Sequence, residues 1–199
     1  MKALIMRYRW PIIQGKSKTA LTVFWPDKGL DTGPILLQKE FEITKTDTLG
    51  SVYFGKLYPA GVEAMVEAAE MVKNGTAPKI EQDHSKATYV GWCRSSDVMI
   101  DCNNPGVEIY NLIRGSVPSP GANTLWNQKS IYLFSTSFES SNHDKPPGTV
   151  TKISDESFSL SVSGGIITIG RVKVDREAKI MAADFVKSHK LKIGDRFGL

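Results

Sequence analysis

The residues best suited to do chemistry lie in one short loop, residues 29–34, with the sequence GLDTGP. The loop follows an apolar run that ends in Phe24 and Trp25, and ligands of open α/β sheets bind beyond the carboxyl ends of strands. The two glycines allow the backbone to approach a flat ligand closely, and the turn between them restricts where the Asp31 carboxylate can point. Aspartate is also a common turn former, so the loop alone leaves open a catalytic and a purely structural role for Asp31.

Other candidate sites fail on spacing. Residues 15–17 (GKS) match the end of a phosphate-binding P-loop, but Trp10 stands where that motif needs a glycine, and a strand follows instead of a helix. Cys93 and Cys102 show no zinc-ligand spacing with the three isolated histidines, so we predict neither a metal site nor a disulfide framework. The composition is 41% hydrophobic and 23% charged, with no signal-like or membrane-spanning run, which predicts a cytoplasmic globular protein without a membrane partner.

The candidate loop is expected to be held by two strands and a helix. Residues 19–25 (TALTVFW) and 34–43 (PILLQKEFEI) have the β-branched and aromatic content of strands. A helix is predicted from about residue 48 to 73, with Asp47 or Thr48 as N-cap, a break at Pro59 and an end at Asn74-Gly75. Its apolar stripe is predicted to be core: Val62, Met65, Val66, Ala69 and Val72.

The second half of the chain has a different pattern. Residues 76–97 are polar and aperiodic, which is typical of a linker. A short helix is predicted from Asn104 with Pro105 in its first turn, followed by five short strand-like segments (ANTLW, SIYLFSTSF, GTVTKI, FSLSV and IITIGRVKV) that favour an antiparallel barrel or sandwich. We therefore predict domains at residues 1–76 and 98–199, with residues 77–97 as linker.

A wider stretch, LTVFWPDKGLDTGPILLQ, resembles the signature of the formyltransferase family that uses 10-formyltetrahydrofolate. The resemblance continues through Asn74-Gly75, residues 113–115 (IRG), residues 118–122 (PSPGA) and residues 192–196 (KIGDR), and so covers nearly the whole chain. It implies an α/β protein: the C-terminal part of a Rossmann-like formyltransferase domain over residues 1–76, followed by a small antiparallel, OB-like β-barrel domain.

The resemblance also implies the chemistry. In this family an amine, or water in a hydrolase, attacks the formyl carbon on N10 of the folate while protons leave the nucleophile and reach N10. Asp31 matches the catalytic aspartate, which orients a histidine and an ordered water. Backbone around Asp27, Lys28, Gly29 and Leu30 would line the pterin pocket, and 10-formyltetrahydrofolate would be the formyl donor.

The sequence departs from the family upstream of Asp31. The family's H-P-S-L-L-P region, with its histidine and a nearby asparagine, should precede Asp31, yet the thirty residues before Asp31 contain neither His nor Asn. All three histidines of the chain, His84, His143 and His189, lie downstream and match no catalytic position. The resemblance therefore implies an N-terminally truncated catalytic domain with little activity by itself.

Three readings of the function remain open. The favoured one is a methionyl-tRNA formyltransferase whose C-terminal domain contacts initiator methionyl-tRNA, because residues 171–199 hold eight Lys or Arg against four Asp or Glu. The phosphate contacts expected on this tail are Lys187, Lys190, Lys192 and Arg196. The alternatives are a domain of the 10-formyltetrahydrofolate hydrolase or dehydrogenase type, and an inactive fragment that keeps only an RNA-binding-like β domain.

Overall fold

The structure, a computed structural model, describes residues 8–198. The chain divides into two compact units: unit 1 contains the residues up to Pro11 together with Lys16–Trp92, and unit 2 contains Ile12–Gly15 together with Cys93–Leu199. Residues 77–92, which the sequence assigns to a linker, thus belong to unit 1.

Unit 1 is built on a β-hairpin. A short helix, α1 (Arg9–Ile13), precedes β1 (Lys18–Phe24), which pairs antiparallel with β2 (Ile35–Glu42). The backbone N–H of Trp25 donates to Pro34 at 2.9 Å and closes the hairpin where the candidate loop begins and ends. Both strands lie where the β-branched and aromatic runs predict them.

The helical segment after the hairpin has three parts. Helix α2 (Leu49–Val52) continues through a π-helical turn (Tyr53–Leu57) into α3 (Tyr58–Lys73). Thr48 is the N-cap, and it forms a reciprocal capping box with Ser51. Pro59 does not break the helix; it occupies the first turn of α3, where its missing N–H is not needed. The helix ends at Asn74, and Gly75 adopts a φ of +68°, as predicted.

The predicted buried stripe of this helix is wrong. Ala64 and Ala68 are the buried residues of α3, and a Cβ at Gly61 would lie 3.7 Å from Leu21. The apolar stripe named above is exposed: Val62, Met65, Val66, Ala69 and Val72. The helix packs on the hairpin through its smallest side chains, and hydrophobic periodicity cannot distinguish that close packing from the larger stripe beside it.

Unit 2 is an antiparallel sheet with two helices. Two 3₁₀ turns, His84–Lys86 in unit 1 and Ser95–Val98 in unit 2, precede α4 (Gly106–Ser116). The remaining elements are β3 (Asn123–Trp126), β4 (Lys129–Ser140), β5 (Val150–Ile153), β6 (Phe158–Val162), β7 (Gly165–Val174), β8 (Lys179–Met181) and α5 (Ala182–His189). The sheet order is β3-β4-β7-β6-β5, with β8 also paired to β7. Within residues 8–198, β3 and β5 share no ladder, so a closed OB-like barrel is not confirmed.

An aromatic cluster holds α5 and the chain end onto the sheet. Phe158, Phe185 and Phe197 are almost completely buried, and Trp126 packs against Phe185 at a centroid distance of 5.4 Å. Phe158 stacks on Phe197 at 5.6 Å. Edge-on and offset ring pairs of this kind add to the free energy gained by burying apolar area. The basic segment at residues 171–199 is therefore anchored to the sheet by buried side chains rather than forming a flexible tail.

Across residues 8–198, no helix is both long enough and apolar enough to cross a lipid bilayer.

The two units should differ in resistance to proteolysis. Of the twelve largest fully buried side chains, only Leu49, Leu57 and Val52 lie in unit 1. Since stability against local opening depends on buried apolar contacts, limited trypsin digestion should leave a protected fragment that begins near Cys93. Mass spectrometry of the digest would identify it. Equal protection of both units throughout the digestion would contradict this prediction.

Candidate functional site

The candidate loop crosses the open end of the β1–β2 hairpin with a tightly constrained path. A Cβ at Gly33 would collide with the carbonyl oxygen of Trp25, so no larger residue fits at the neck of the loop. Asp31 adopts a φ of +58°, in the left-handed region that non-glycine residues rarely occupy. Surrounding contacts must hold such a conformation, and it is common at functional sites.

Asp27 fixes one part of the loop. Its carboxylate accepts from the backbone N–H of Gly29 at 2.9 Å and from the hydroxyl of Thr32 at 2.8 Å. The Thr32 hydroxyl, the Gly29 N–H and a smaller contribution from the charge of His84 lower the pKa of Asp27. Asp27 is therefore ionised at neutral pH and acts as the internal brace of the turn.

Gln82 fixes the rest of the loop from far along the chain. Its Nε2 donates to the carbonyl of Asp31 at 3.0 Å and to the carbonyl of Gly33 at 2.7 Å. The segment that carries Gln82 lies against the hairpin because Ile80 and Ile35 exchange two backbone hydrogen bonds. The Trp25 indole N–H also donates to the carbonyl of Pro78 at 2.8 Å.

A cleft of about 670 Å³ opens beside this loop within unit 1. Its walls combine aromatic side chains with a few polar groups, a composition typical of small-molecule sites. The aromatic lining consists of Tyr8, Phe24, Tyr89 and Trp92, and the polar lining includes Thr22, Asp31, Gln38 and Gln82. Burial raises the pKa of Tyr8, and the neighbouring Tyr53 adds a smaller electrostatic contribution in the same direction. This phenol therefore remains protonated at neutral pH.

Only two of the five residues that the sequence assigns to the site line the cleft. Asp31 and Leu30 line the cleft, whereas Asp27, Lys28 and Gly29 are exposed in the same loop and are not among the lining residues. The lining residues of the segment 82–92 were not predicted from the sequence. The available signal was the aromatic pair of TYVGW, Tyr89 and Trp92, which stands out in an otherwise polar segment.

No cluster of metal-ligating or nucleophilic side chains accompanies the cleft in the part of the chain described. Residues 8–198 contain no group of three or more His, Cys, Asp or Glu side chains that could hold a metal ion. Burial raises the pKa of the Cys102 thiol to about 11, so that cysteine is a poor nucleophile. None of the three histidines lines the cleft.

Unit 2 carries a concentrated positive charge on one face of its sheet. On strand β7, Lys173 pairs with Tyr132 on one side and Lys179 on the other. Arg171 pairs in the same way with Phe134 and Met181. All six side chains therefore share one face of the sheet. The Lys179 ammonium sits 3.6 Å from the centroid of the Phe134 ring. Desolvation by burial lowers the pKa of Lys179, and the positive charges of Arg171 and Lys173 lower it further. We call Arg171, Lys173 and Lys179 the basic triad; none of them forms an ion pair within residues 8–198.

Known proteins resemble the chain in sequence over both units. Methionyl-tRNA formyltransferase of Desulforamulus reducens is 30% identical over 190 residues, which are 95% of this chain and 60% of that protein. Cytosolic 10-formyltetrahydrofolate dehydrogenase of Mus musculus is 41% identical over 128 residues, or 64% of this chain and 14% of that protein. The chain thus spans less than two thirds of the length of these relatives.

Solved structures share the fold at lower identity. The chain superposes on HypX from Aquifex aeolicus in complex with tetrahydrofolic acid with a TM-score of 0.75 and 18% identity, over 96% of this chain and 34% of HypX. It superposes on an N-formyltransferase from Helicobacter canadensis with a TM-score of 0.60 and 21% identity, over 83% of this chain and 60% of that one.

Two family models account for most of the sequence. The model of the formyl transferase domain matches residues 5–69. The model of the formyl transferase C-terminal domain matches residues 93–190, beginning at Cys93, the first residue of the longer segment of unit 2. The chain therefore belongs to the formyl transferase family, with parts of both of its domains present.

Proposed function

We propose that this chain takes part in formyl transfer from 10-formyltetrahydrofolate to an amine acceptor. The observation that carries the proposal is that Asp31, which matches the catalytic aspartate of the family signature, lines an aromatic cleft of about 670 Å³. In this proposal residues 1–76 contribute to the catalytic domain, the connecting residues 77–97 complete its cleft with part of their length, and residues 98–199 form the OB-like β domain.

The cleft suits a folate. Its volume lies within the usual range of about 300–1,000 Å³ for small-molecule sites. Tyr89 and Trp92 supply aromatic lining for a flat bicyclic group. Gln38 donates to the Thr22 hydroxyl at 2.8 Å, and its side-chain carbonyl would remain to pair with a pterin. HypX was solved with tetrahydrofolic acid, which supports a folate ligand for this fold. The backbone of residues 27–30 would border the same ligand.

Each part of the site has a separate task. When bound, the folate would supply the formyl group. Asp31 would place a carboxylate beside it and stabilise a proton-carrying group, either the acceptor's amine or a histidine, during transfer. The aromatic walls would exclude water, which competes with the acceptor amine for the formyl group.

Methionyl-tRNA is the acceptor that we favour. The relative from Desulforamulus reducens aligns over 95% of this chain, and a tRNA acceptor needs a phosphate-binding surface. The basic triad supplies such a surface, with three cations and no acidic partner among the described residues. Lys187, Lys190, Lys192 and Arg196 add charge near the chain end. Because initiator methionyl-tRNA is used in protein synthesis, this role would place the protein in the cytoplasm.

A hydrolase or dehydrogenase-type domain is the second candidate. The observation that favours it is the 41% identity over 128 residues to the mouse 10-formyltetrahydrofolate dehydrogenase. That reading uses the same folate and the same Asp31 but needs no nucleic acid. The two candidates therefore differ in whether the basic triad binds RNA.

The role of Asp31 can be tested by Asp31→Asn. The substitution keeps the side-chain shape but removes the charge that would stabilise a protonated group, so formyl transfer should fall by about a hundredfold or more. Transfer to methionyl-tRNA should be measured on the chain and on the chain completed with the part of the Desulforamulus reducens relative that the match leaves out. Asp97→Asn, an acidic-to-amide change in unit 2, is the matched control. Activity of Asp31→Asn within threefold of the parent would remove Asp31 from the mechanism.

The acceptor can be tested through salt dependence. Replacing Arg171, Lys173 and Lys179 with Ala should weaken tRNA binding. It should also make the slope of log K against log salt concentration shallower, by an amount equivalent to up to about three phosphate contacts. Replacing Lys187, Lys190, Lys192 and Arg196 together should reduce the slope by up to about four. A control that removes three other exposed lysines of unit 2, Lys129, Lys145 and Lys152, should change it least. If the parent binds no tRNA at low salt, the hydrolase candidate takes precedence.

A further inference from the structure

We propose that Gln82 is a positioning residue that sets the direction of Asp31. The inference rests on the proposed function only in treating Asp31 as the catalytic group of the cleft. The geometric part, that Gln82 holds the turn, rests on contacts within unit 1.

The orientation of the Gln82 amide follows from its partners. Both groups that it meets are carbonyl oxygens, those of Asp31 and Gly33, at 3.0 and 2.7 Å. Carbonyl oxygens only accept hydrogen bonds, so the atom facing them must be the nitrogen, and its two hydrogens match the two acceptors. A carboxylate of the same shape would place oxygen against oxygen at both positions.

The contacts of Gln82 interleave with those of Asp27. Asp27 binds Gly29 and Thr32 from inside the loop. Gln82 binds the backbone carbonyls of the residues on either side of Thr32, Asp31 and Gly33. The backbone around Asp31 is thus held on both sides. A left-handed conformation at a non-glycine residue costs of the order of 1–3 kcal/mol and persists only where its surroundings determine it.

Gln82 is itself held in place and faces the ligand space. The exchange of hydrogen bonds between Ile35 and Ile80 fixes its segment to the edge of β2 two residues earlier. Beyond it, the Trp10 indole donates to the carbonyl of Gly91 at 3.0 Å. Gln82 also lines the cleft beside Asp31. A change at this position should therefore alter the direction of the Asp31 carboxylate and the affinity of the cleft together.

The test compares Gln82→Glu and Gln82→Met with Glu81→Gln, a matched change at an exposed neighbouring residue. The first readout is the backbone chemical shift of Asp31 by NMR, which reports the left-handed conformation without requiring activity. We expect the Asp31 shifts to move toward ordinary values in both Gln82 variants and to stay unchanged in Glu81→Gln.

The second readout is the affinity for folinic acid, measured by the change in tryptophan fluorescence on binding. The Trp92→Phe variant is the control that identifies the part of the signal due to Trp92. Gln82→Glu should raise the Kd about tenfold and Gln82→Met less, since only the former adds a repulsive oxygen. In the completed enzyme, kcat should fall more than KM rises, because the carboxylate is misdirected.

The outcomes separate the two claims. Unchanged Asp31 shifts in both Gln82 variants overturn the positioning role, whatever happens to binding. Altered shifts with no folinic acid binding by the parent support the positioning role and count against the proposed function. If Gln82→Glu does not fold, Gln82→Met decides the result, because its side chain is similar in length and carries no charge.

Discussion

The close approach of two backbone segments at the neck of the β1–β2 hairpin is the constraint on which the candidate site depends. Trp25 donates to Pro34 across the neck, and the buried Gly33 leaves no room for a Cβ against the Trp25 carbonyl. With both ends of the loop fixed this closely, the intervening residues must turn sharply, and Asp31 takes the left-handed conformation. Asp31 and Leu30 then line the cleft because the loop has little other path available.

Unit 2 concentrates positive charge through strand register. The basic triad lies within residues 171–199, whose charge count led to the prediction of phosphate contacts, but the residues named in that prediction are those nearer the chain end. The basic triad forms because β8 pairs with β7 so that Lys179 faces Lys173. Like charges directly opposite each other destabilise a sheet. The aromatic rings of Tyr132 and Phe134 offset part of that cost through cation–π contacts.

Local features of the fold could be predicted from the sequence, whereas long-range features could not. The strands, the Thr48 cap and the Asn74-Gly75 end depend on neighbouring residues, and the sequence places them correctly. The buried face of α3 depends on packing against β1 through Gly61 and Ala64, which side-chain size alone does not indicate. Gln82 was missed because its contacts cross about fifty positions of sequence, and its polar surroundings are typical of a linker.

The conformation of Asp31 depends on contacts from outside its own turn. Glycine would occupy a φ of +58° more readily than aspartate, although aspartate tolerates the left-handed region better than most other residues. The loop instead holds an aspartate there, and the hydrogen bonds from Gln82 are made to backbone carbonyls rather than to its carboxylate. Two such bonds contribute about 1 kcal/mol each, which is comparable to the cost of about 1–3 kcal/mol for the left-handed backbone. The hydrogen bonds from Gln82 thus offset much of the cost of the left-handed conformation at Asp31.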